Sequence, residues 1–129
     1  VDVVLVERQR HRSGGLPGVL EAVMRVVMAE VAALAVLGPR AVSVSPGAVA
    51  RHFALADCSG SGTGGKKRAA VGRVGELIAG GRVGVPGDLR EYFEAARKRD
   101  DLADSLLQAV AHVQWMRNRD RLRLLDKYS

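Results

Sequence analysis

Two groups of carboxylates in this chain have the type and spacing to do chemistry. Glu7 ends the aliphatic run Val3-Val-Leu-Val6, and Arg8, Gln9, Arg10 and Arg12 follow it. Far along the chain, Asp100, Asp101 and Asp104 fall at i, i+1 and i+4 where an amphipathic stretch begins. Carboxylate oxygens are the natural ligands of hard divalent cations. Carboxylates converging from a strand end and a helix N-terminus are what Mg²⁺-dependent phosphodiester cleavage requires. The donors beside Glu7 suit a polyanionic substrate, because guanidinium forks hold phosphate oxygens bidentately.

Each group also has a plainer reading. Glu7 alone could be a solvent-facing strand end, and the arginines a solvated turn. Acidic residues at a helix N-terminus cap it and favour its dipole by ~0.3–1 kcal/mol each. Three of them within one turn repel one another, however, and a bound cation relieves that repulsion. Strand C-terminal ends are also where α/β sheets build their sites.

The elements that must position these groups follow from the hydrophobic pattern. Val3 to Glu7 is apolar throughout rather than alternating, which predicts a buried strand. His11 to Gly18 reads as a loop. Leu20, Val23, Met24, Val27, Val31 and Leu34 recur at helical spacing and stop at Gly38-Pro39. Ala41 to Ser45 predicts a second strand, so the strand–helix–strand order implies a parallel crossover. Pro46 opens a short helix through Phe53. Ser59 to Gly65 reads as a flexible glycine-rich loop, followed by a helix over Lys66 to Ala79 that Gly72 and Gly75 weaken. Asp88 to Arg97 is a further short helix. The last runs from Asp101 to about Arg117, with Leu102, Leu106, Val110 and Val113 as its expected buried stripe.

Other features carry weaker signals. Gly60 to Lys66 fits the G-x-x-x-x-G-K part of a phosphate-binding loop. Lys67 stands where such a loop needs Ser or Thr, and Phe53 to Cys58 is not a convincing preceding strand. Lys66, Lys67 and Arg68 are better read as a backbone contact patch for nucleic acid, or as a solvated helix start. His11, His52 and His112 share no metal-ligand spacing, and Cys58 has no partner, so a zinc site is unsupported. Trp115 and Met116 read as packing residues.

Composition sets the outer bounds. A chain of 129 residues is one domain or part of one. Apolar residues form 47% and the mean hydropathy is +0.01, which excludes wholesale disorder. The net charge of +6 and pI of about 10.2 favour an anionic partner. The single cysteine excludes an internal disulfide and fits a reducing compartment. The longest apolar stretch, Val19 to Leu37, carries Glu21, Arg25 and Glu30 and is a poor membrane span.

Four segments occur in a telling order: Val6-Glu-Arg-Gln-Arg-His-Arg-Ser13, Val19-Leu-Glu-Ala-Val-Met-Arg25 with Glu30, Val42-Ser-Val-Ser-Pro46, and Lys98-Arg-Asp-Asp-Leu-Ala-Asp-Ser-Leu-Leu-Gln108. Together they resemble the fungal mitochondrial Holliday-junction resolvases, relatives of the bacterial RuvC-type resolvases with an RNase H-like α/β fold. The resemblance implies a structure-selective endonuclease that resolves four-way DNA junctions by paired symmetric nicks. Glu7, Asp101 and Asp104 would be its catalytic, metal-binding carboxylates, with Asp100 as the adjacent candidate. The cofactor implied is a pair of Mg²⁺ ions, with Mn²⁺ as a substitute. Arg8, Gln9, Arg10, Arg12, Lys66 and Lys67 would contact DNA. The resemblance further implies a homodimer, with the helix over 19–37 as its face, and a mitochondrial matrix location.

One departure shapes the expectations. RNase H-like nucleases carry another catalytic Asp on the first strand of a larger sheet, and this chain starts where the fourth strand would be. Asp2 is no substitute, lying roughly 16 Å from Glu7 at strand rise. A sheet of two parallel strands leaves its core half-built. The chain is therefore expected to be the C-terminal part of a single RNase H-like domain, lacking the first three strands and inactive alone. Two other readings stay open: a non-catalytic basic module for DNA binding and dimerisation, and a nucleotide binder built on the glycine-rich loop.

Overall fold

A computed structural model describes residues 3–9, 17–55 and 62–128. The chain is mixed α/β and mostly helical. In order it forms β1 (Val4–Glu7), α1 (Pro17–Leu37), a 3₁₀ turn (Gly38–Arg40), β2 (Ala41–Val44), α2 (Pro46–His52), α3 (Gly62–Ala79), α4 (Gly87–Ala95) and α5 (Arg99–Tyr128). It divides into two compact units, Val1–Ala48 and Val49–Ser129.

The first unit is the predicted crossover. β1 and β2 pair in parallel with Val4 opposite Ala41 and Glu7 opposite Val44. One more ladder bond, from Arg8 N–H to the Val44 carbonyl at 2.8 Å, carries the pairing past the end of β1. Helix α1 packs on both strands. Its half-buried positions include Val23, Val27, Glu30, Leu34 and Leu37, which fall at i, i+4, i+7, i+11 and i+14 and so form one stripe. Met24 and Val31, expected on that stripe, are instead 56% and 59% exposed. Aliphatic residues lie all round this helix, so periodicity alone did not select the face that packs. By length and mean hydropathy, 1.7 over Glu21–Arg40, the helix meets the criterion for crossing a membrane. The core helix of a soluble protein passes the same test, and this stretch carries Glu21, Arg25 and Glu30. Gly38, at φ +54°, ends the helix in the left-handed conformation that glycine adopts without a Cβ clash. Ser45 then caps α2, its hydroxyl and carbonyl oxygens both accepting from the Ala48 N–H, with Pro46 at the first helical position.

The second unit has an apolar core. Ala70, Val74 and Leu77 of α3 face Ala103, Leu107 and Ala111 of α5, with Val49, Phe53 and Leu55 completing the set. The alanines let the two helices approach closely. The stripe expected from Leu102, Leu106, Val110 and Val113 is displaced by one position: Val113 is 47% exposed, and Ala103, Leu107 and Gln108 are buried. Helix α5 is also longer than its apolar pattern, continuing to Tyr128 with Arg117 to Lys127 exposed at every position.

Helix α3 begins at Gly62, so the second half of the expected glycine-rich loop is helical. The rest of that loop, 59–61, and Cys58 ahead of it lie outside the described residues. Helical backbone over Gly62 to Gly65 also removes the extended phosphate-cradling loop that Gly60 to Lys66 resembled.

Two helix ends in this unit use the same device. After α3, Arg82 N–H bonds the Leu77 carbonyl at 3.0 Å and Gly81 N–H bonds that of Ile78 at 3.1 Å, with Gly81 at φ +65°. After α2, Leu55 N–H bonds the Ala50 carbonyl at 2.8 Å and Ala54 N–H bonds that of Arg51 at 3.1 Å. There the left-handed position is held by an alanine, Ala54, at φ +54°. Both are Schellman closures that satisfy terminal carbonyls; the second forces a Cβ into a conformation that glycine takes freely.

Candidate functional site

Glu7 belongs to the first unit, and Asp100, Asp101 and Asp104 to the second. Each half of the carboxylate set is therefore built by its own elements.

In the first unit, parallel pairing puts Glu7 at the C-terminal end of the short sheet, opposite Val44. It is half-buried and engaged in an interaction of its own. The chain leaving the strand is pinned by Glu30 of α1. One oxygen of that carboxylate accepts from the Gln9 N–H at 2.9 Å and the other from the Ser43 hydroxyl at 3.1 Å. The Ser43 oxygen in turn accepts from Arg8 Nε at 3.3 Å, and Gln9 Nε2 donates to the Glu7 carbonyl at 3.1 Å. A polar network thus fixes both residues that follow Glu7. Arg8 remains exposed, so part of its guanidinium is open to an anion. Arg10 and Arg12 lie outside the described residues.

In the second unit, α5 presents the acidic triplet. Asp101 and Asp104 stand at i and i+3 and are both exposed, so they share an outward face. Asp100 is half-buried and faces α3, where its Oδ2 meets Lys67 Nζ at 2.5 Å. That hydrogen bond is the main reason the Asp100 carboxyl sits below its ordinary range. It is also the main reason the Lys67 ammonium sits above its own, with the charge of Asp100 next and smaller contributions from Asp101 and Asp104. One lysine therefore lies in the field of the whole triplet and offsets part of the repulsion among its members. Lys66 is exposed, and no ion pair holds it among the described residues.

Beside this pair an open cleft of about 490 Å³ is bounded by Gly64, Lys67, Arg68, Arg97, Arg99 and Asp100, with Val71 against it. Arg68 is on α3, Arg97 in the turn ahead of α5 and Arg99 at its first position. Sequence reading named Lys67 and noted Arg68. It missed Arg97 and Arg99, which sit among other charges and are legible only from the packing of α3 on the start of α5. It also missed what Glu30 does. The signal for Glu30 was present: a single carboxylate in line with Val23, Val27 and Leu34.

Glu7, Asp101 and Asp104 offer oxygen donors only, the chemistry that hard divalent cations take. Among the described residues no group of three or more His, Cys, Asp or Glu side chains forms a metal-holding cluster. The unit also contains a small aromatic node. Trp115 Nε1 donates to His52 Nδ1 at 3.2 Å, His52 Nε2 meets Gln114 Oε1 at 2.5 Å, and Phe53 packs edge-on to the imidazole at 4.8 Å. Trp115 therefore packs, as its sequence position implied, and in doing so fixes the rotamer of His52.

A protein-family model described as mitochondrial resolvase Ydc2 / RNA splicing MRS1 matches the chain over residues 1–49 and 50–122. The family so described is mitochondrial, as the resemblance implied. No curated protein and no solved structure matches the chain.

Proposed function

We propose, for a chain that belongs to the mitochondrial resolvase Ydc2 / RNA splicing MRS1 family, that it acts in an RNase H-like endonuclease resolving four-way DNA junctions. The observation that carries this reading is the family match across nearly the whole chain. Within it Glu7 ends a parallel strand, and Asp101 and Asp104 share an exposed face of α5.

Glu7 in the first unit, and Asp101 and Asp104 in the second, are the residues we assign as ligands for Mg²⁺, or for Mn²⁺ in its place. Such ions supply Lewis-acid stabilisation of the leaving oxygen and lower the pKa of an attacking water. The chain's own residues do the rest. Glu30 holds the Arg8–Gln9 backbone against the sheet, so that Arg8 presents donors at a fixed distance from Glu7 along the strand. Lys67 keeps Asp100 ionised and drawn toward α3, which leaves Asp101 and Asp104 as the outward pair. We assign homodimerisation, and with it paired symmetric nicks, to α1. That helix packs its inner stripe on the sheet while leaving Met24, Met28, Val31 and Val36 exposed. A two-fold partner suits a two-fold branched substrate.

A second reading is favoured by a specific observation. The family description pairs a resolvase with an RNA-splicing protein, and the Lys67–Asp100 bond gives part of the acidic triplet a role that needs no metal. In that reading the chain is a basic nucleic-acid-binding and dimerisation module. One experiment separates the two: Mg²⁺-dependent cleavage of a synthetic four-way junction against matched linear duplex, using the native polypeptide that carries this chain and an Asp101→Asn variant. Paired nicks in the junction alone, abolished in the variant, establish the nuclease. Junction binding without cleavage in both proteins establishes the module.

A further inference from the structure

We propose that the cleft between α3 and the start of α5 is a phosphate site for the backbone of a nucleic-acid strand, with Arg68, Arg97 and Arg99 as its binding groups. The proposal rests on the reading of the chain as a nucleic-acid-binding protein and says where on the second unit the strand is gripped.

Three observations converge. First, four cations border one concavity of about 490 Å³ that contains a single carboxylate, Asp100. Second, that carboxylate is taken: Lys67 meets it at 2.5 Å and the two charges largely cancel. Arg68, Arg97 and Arg99 are left with no ion-pair or hydrogen-bond partner among the described residues. Arg73 and Arg90 are paired, with Glu76 and Glu94; what sets Arg68, Arg97 and Arg99 apart from the exposed arginines at the end of α5 is that they border one hollow. Three unpaired guanidinium groups gathered around a hollow repel one another, and an anion seated among them reverses the sign of that interaction. Third, the floor is open. Gly64 borders the cleft, and a Cβ built there would meet nothing within 4 Å, while Val71 gives an apolar surface beside the cations.

Arginine selects the ligand class. Its planar fork matches two oxygens of one phosphate, which a lysine cannot do. Three forks, on α3, on the turn ahead of α5 and at the first position of α5, fit consecutive phosphodiesters better than one isolated ion. Inorganic phosphate offers the same chemistry from another source, so the test carries an arm for it.

The test compares two triple variants of the full chain by fluorescence anisotropy on a labelled four-way junction and a single strand, over a salt series. One replaces Arg68, Arg97 and Arg99 with Gln. The other replaces Arg119, Arg121 and Arg123 with Gln, removing the same charge from the exposed end of α5. Removing one phosphate-binding cation reduces the slope of log affinity against log salt by about 0.7–0.9. The cleft variant is expected to lose about 2 units of slope and at least about tenfold in affinity, and the α5 variant clearly less. Equal losses in both variants overturn the site, because net charge alone then explains binding. An unchanged cleft variant alongside a weakened Arg8→Gln variant also overturns it while leaving the functional reading intact. Absence of binding by the unsubstituted chain removes both together. Competition by inorganic phosphate at concentrations matching the oligonucleotide's own phosphate assigns the cleft to free anions and overturns the strand.

Discussion

The two units are stabilised by opposite means. The second unit holds itself together by apolar contact: α3 and α5 interlock through Val74, Leu77, Ala103, Leu107 and Ala111. The first has only Val44 buried among its described apolar side chains, and its order comes from a ladder of two strands, a half-buried stripe of α1 and the carboxylate of Glu30. An apolar core tolerates changes of polarity at its rim and is sensitive to volume. A polar network is insensitive to volume and fails when one acceptor is removed. The residues placed for chemistry follow the same division, with Arg8 set by hydrogen bonds and the acidic triplet set by the packing of the helix that bears it.

Substitutions that break the comparison can be ranked. Leu107→Ala should be the most damaging, since the side chain is fully buried and truncation leaves a cavity worth about 2–5 kcal/mol. A urea titration that reports on the second unit, such as Trp115 fluorescence, checks it. Glu30→Ala should cost about 2–3 kcal/mol in the first unit, because it strands the Gln9 amide and the Ser43 hydroxyl at once. Glu30→Gln, which keeps one acceptor, should lose less. Hydrogen exchange at the Gln9 amide reads this directly, and unchanged protection in Glu30→Ala would refute the network. Gains come next. Gly72→Ala and Gly75→Ala meet nothing within 4 Å, so each should stabilise α3 by about 0.5–1 kcal/mol. Ala54→Gly should do the same for the end of α2 by relieving a left-handed alanine. A lower melting temperature in any of the three contradicts the assigned backbone geometry.

The smallest effect concerns Lys67 and Asp100. Asp100 is depressed in the folded chain, so what it contributes is present above its unfolded value, about 3.9, and fades as pH falls through the lower folded one. Lys67 is raised, so its contribution is complete below about 10.4 and fades as pH climbs through the higher folded value. Between those limits the pair should make stability flat with pH. Both groups reach solvent, so the change in stability should be slight. An NMR titration of the Asp100 carboxyl should show a midpoint below the ordinary range that rises in Lys67→Gln.

What was legible in the sequence follows the same physical line. β1, β2, the crossover helix and its stop at Gly38-Pro39 were readable because strand runs, glycine and proline impose local constraints. The first turn of α2 was readable from Pro46 for the same reason. The faces of α1 and α5 were not, because Val, Leu and Ala surround both helices and only the partner surface decides which row is covered. In α5 the choice fell on the alanines, which a search for large side chains passes over. The start of α3 was misplaced because Gly62 to Gly65 are poor helix formers that tertiary contact overrides; Gly65 is buried there. At the candidate site the carboxylates and Lys67 were visible as types and spacings. The Glu30 network and the arginines of the cleft were not, since both depend on contacts between elements distant in sequence.

The length of α5 has one more consequence. Its first half is clamped by α3, while from Arg117 to Lys127 it runs exposed for roughly 16 Å at 1.5 Å per residue. It is a cantilever: gripped by α3 toward the root, with its charge carried far from that grip. A tilt of a few degrees at Ala103 or Leu107, too small to open the core, sweeps the arginines at the far end through a displacement several times larger. The acidic triplet sits at the root of that same rod, so any force applied to its basic tip is felt as torque where Asp101 and Asp104 stand.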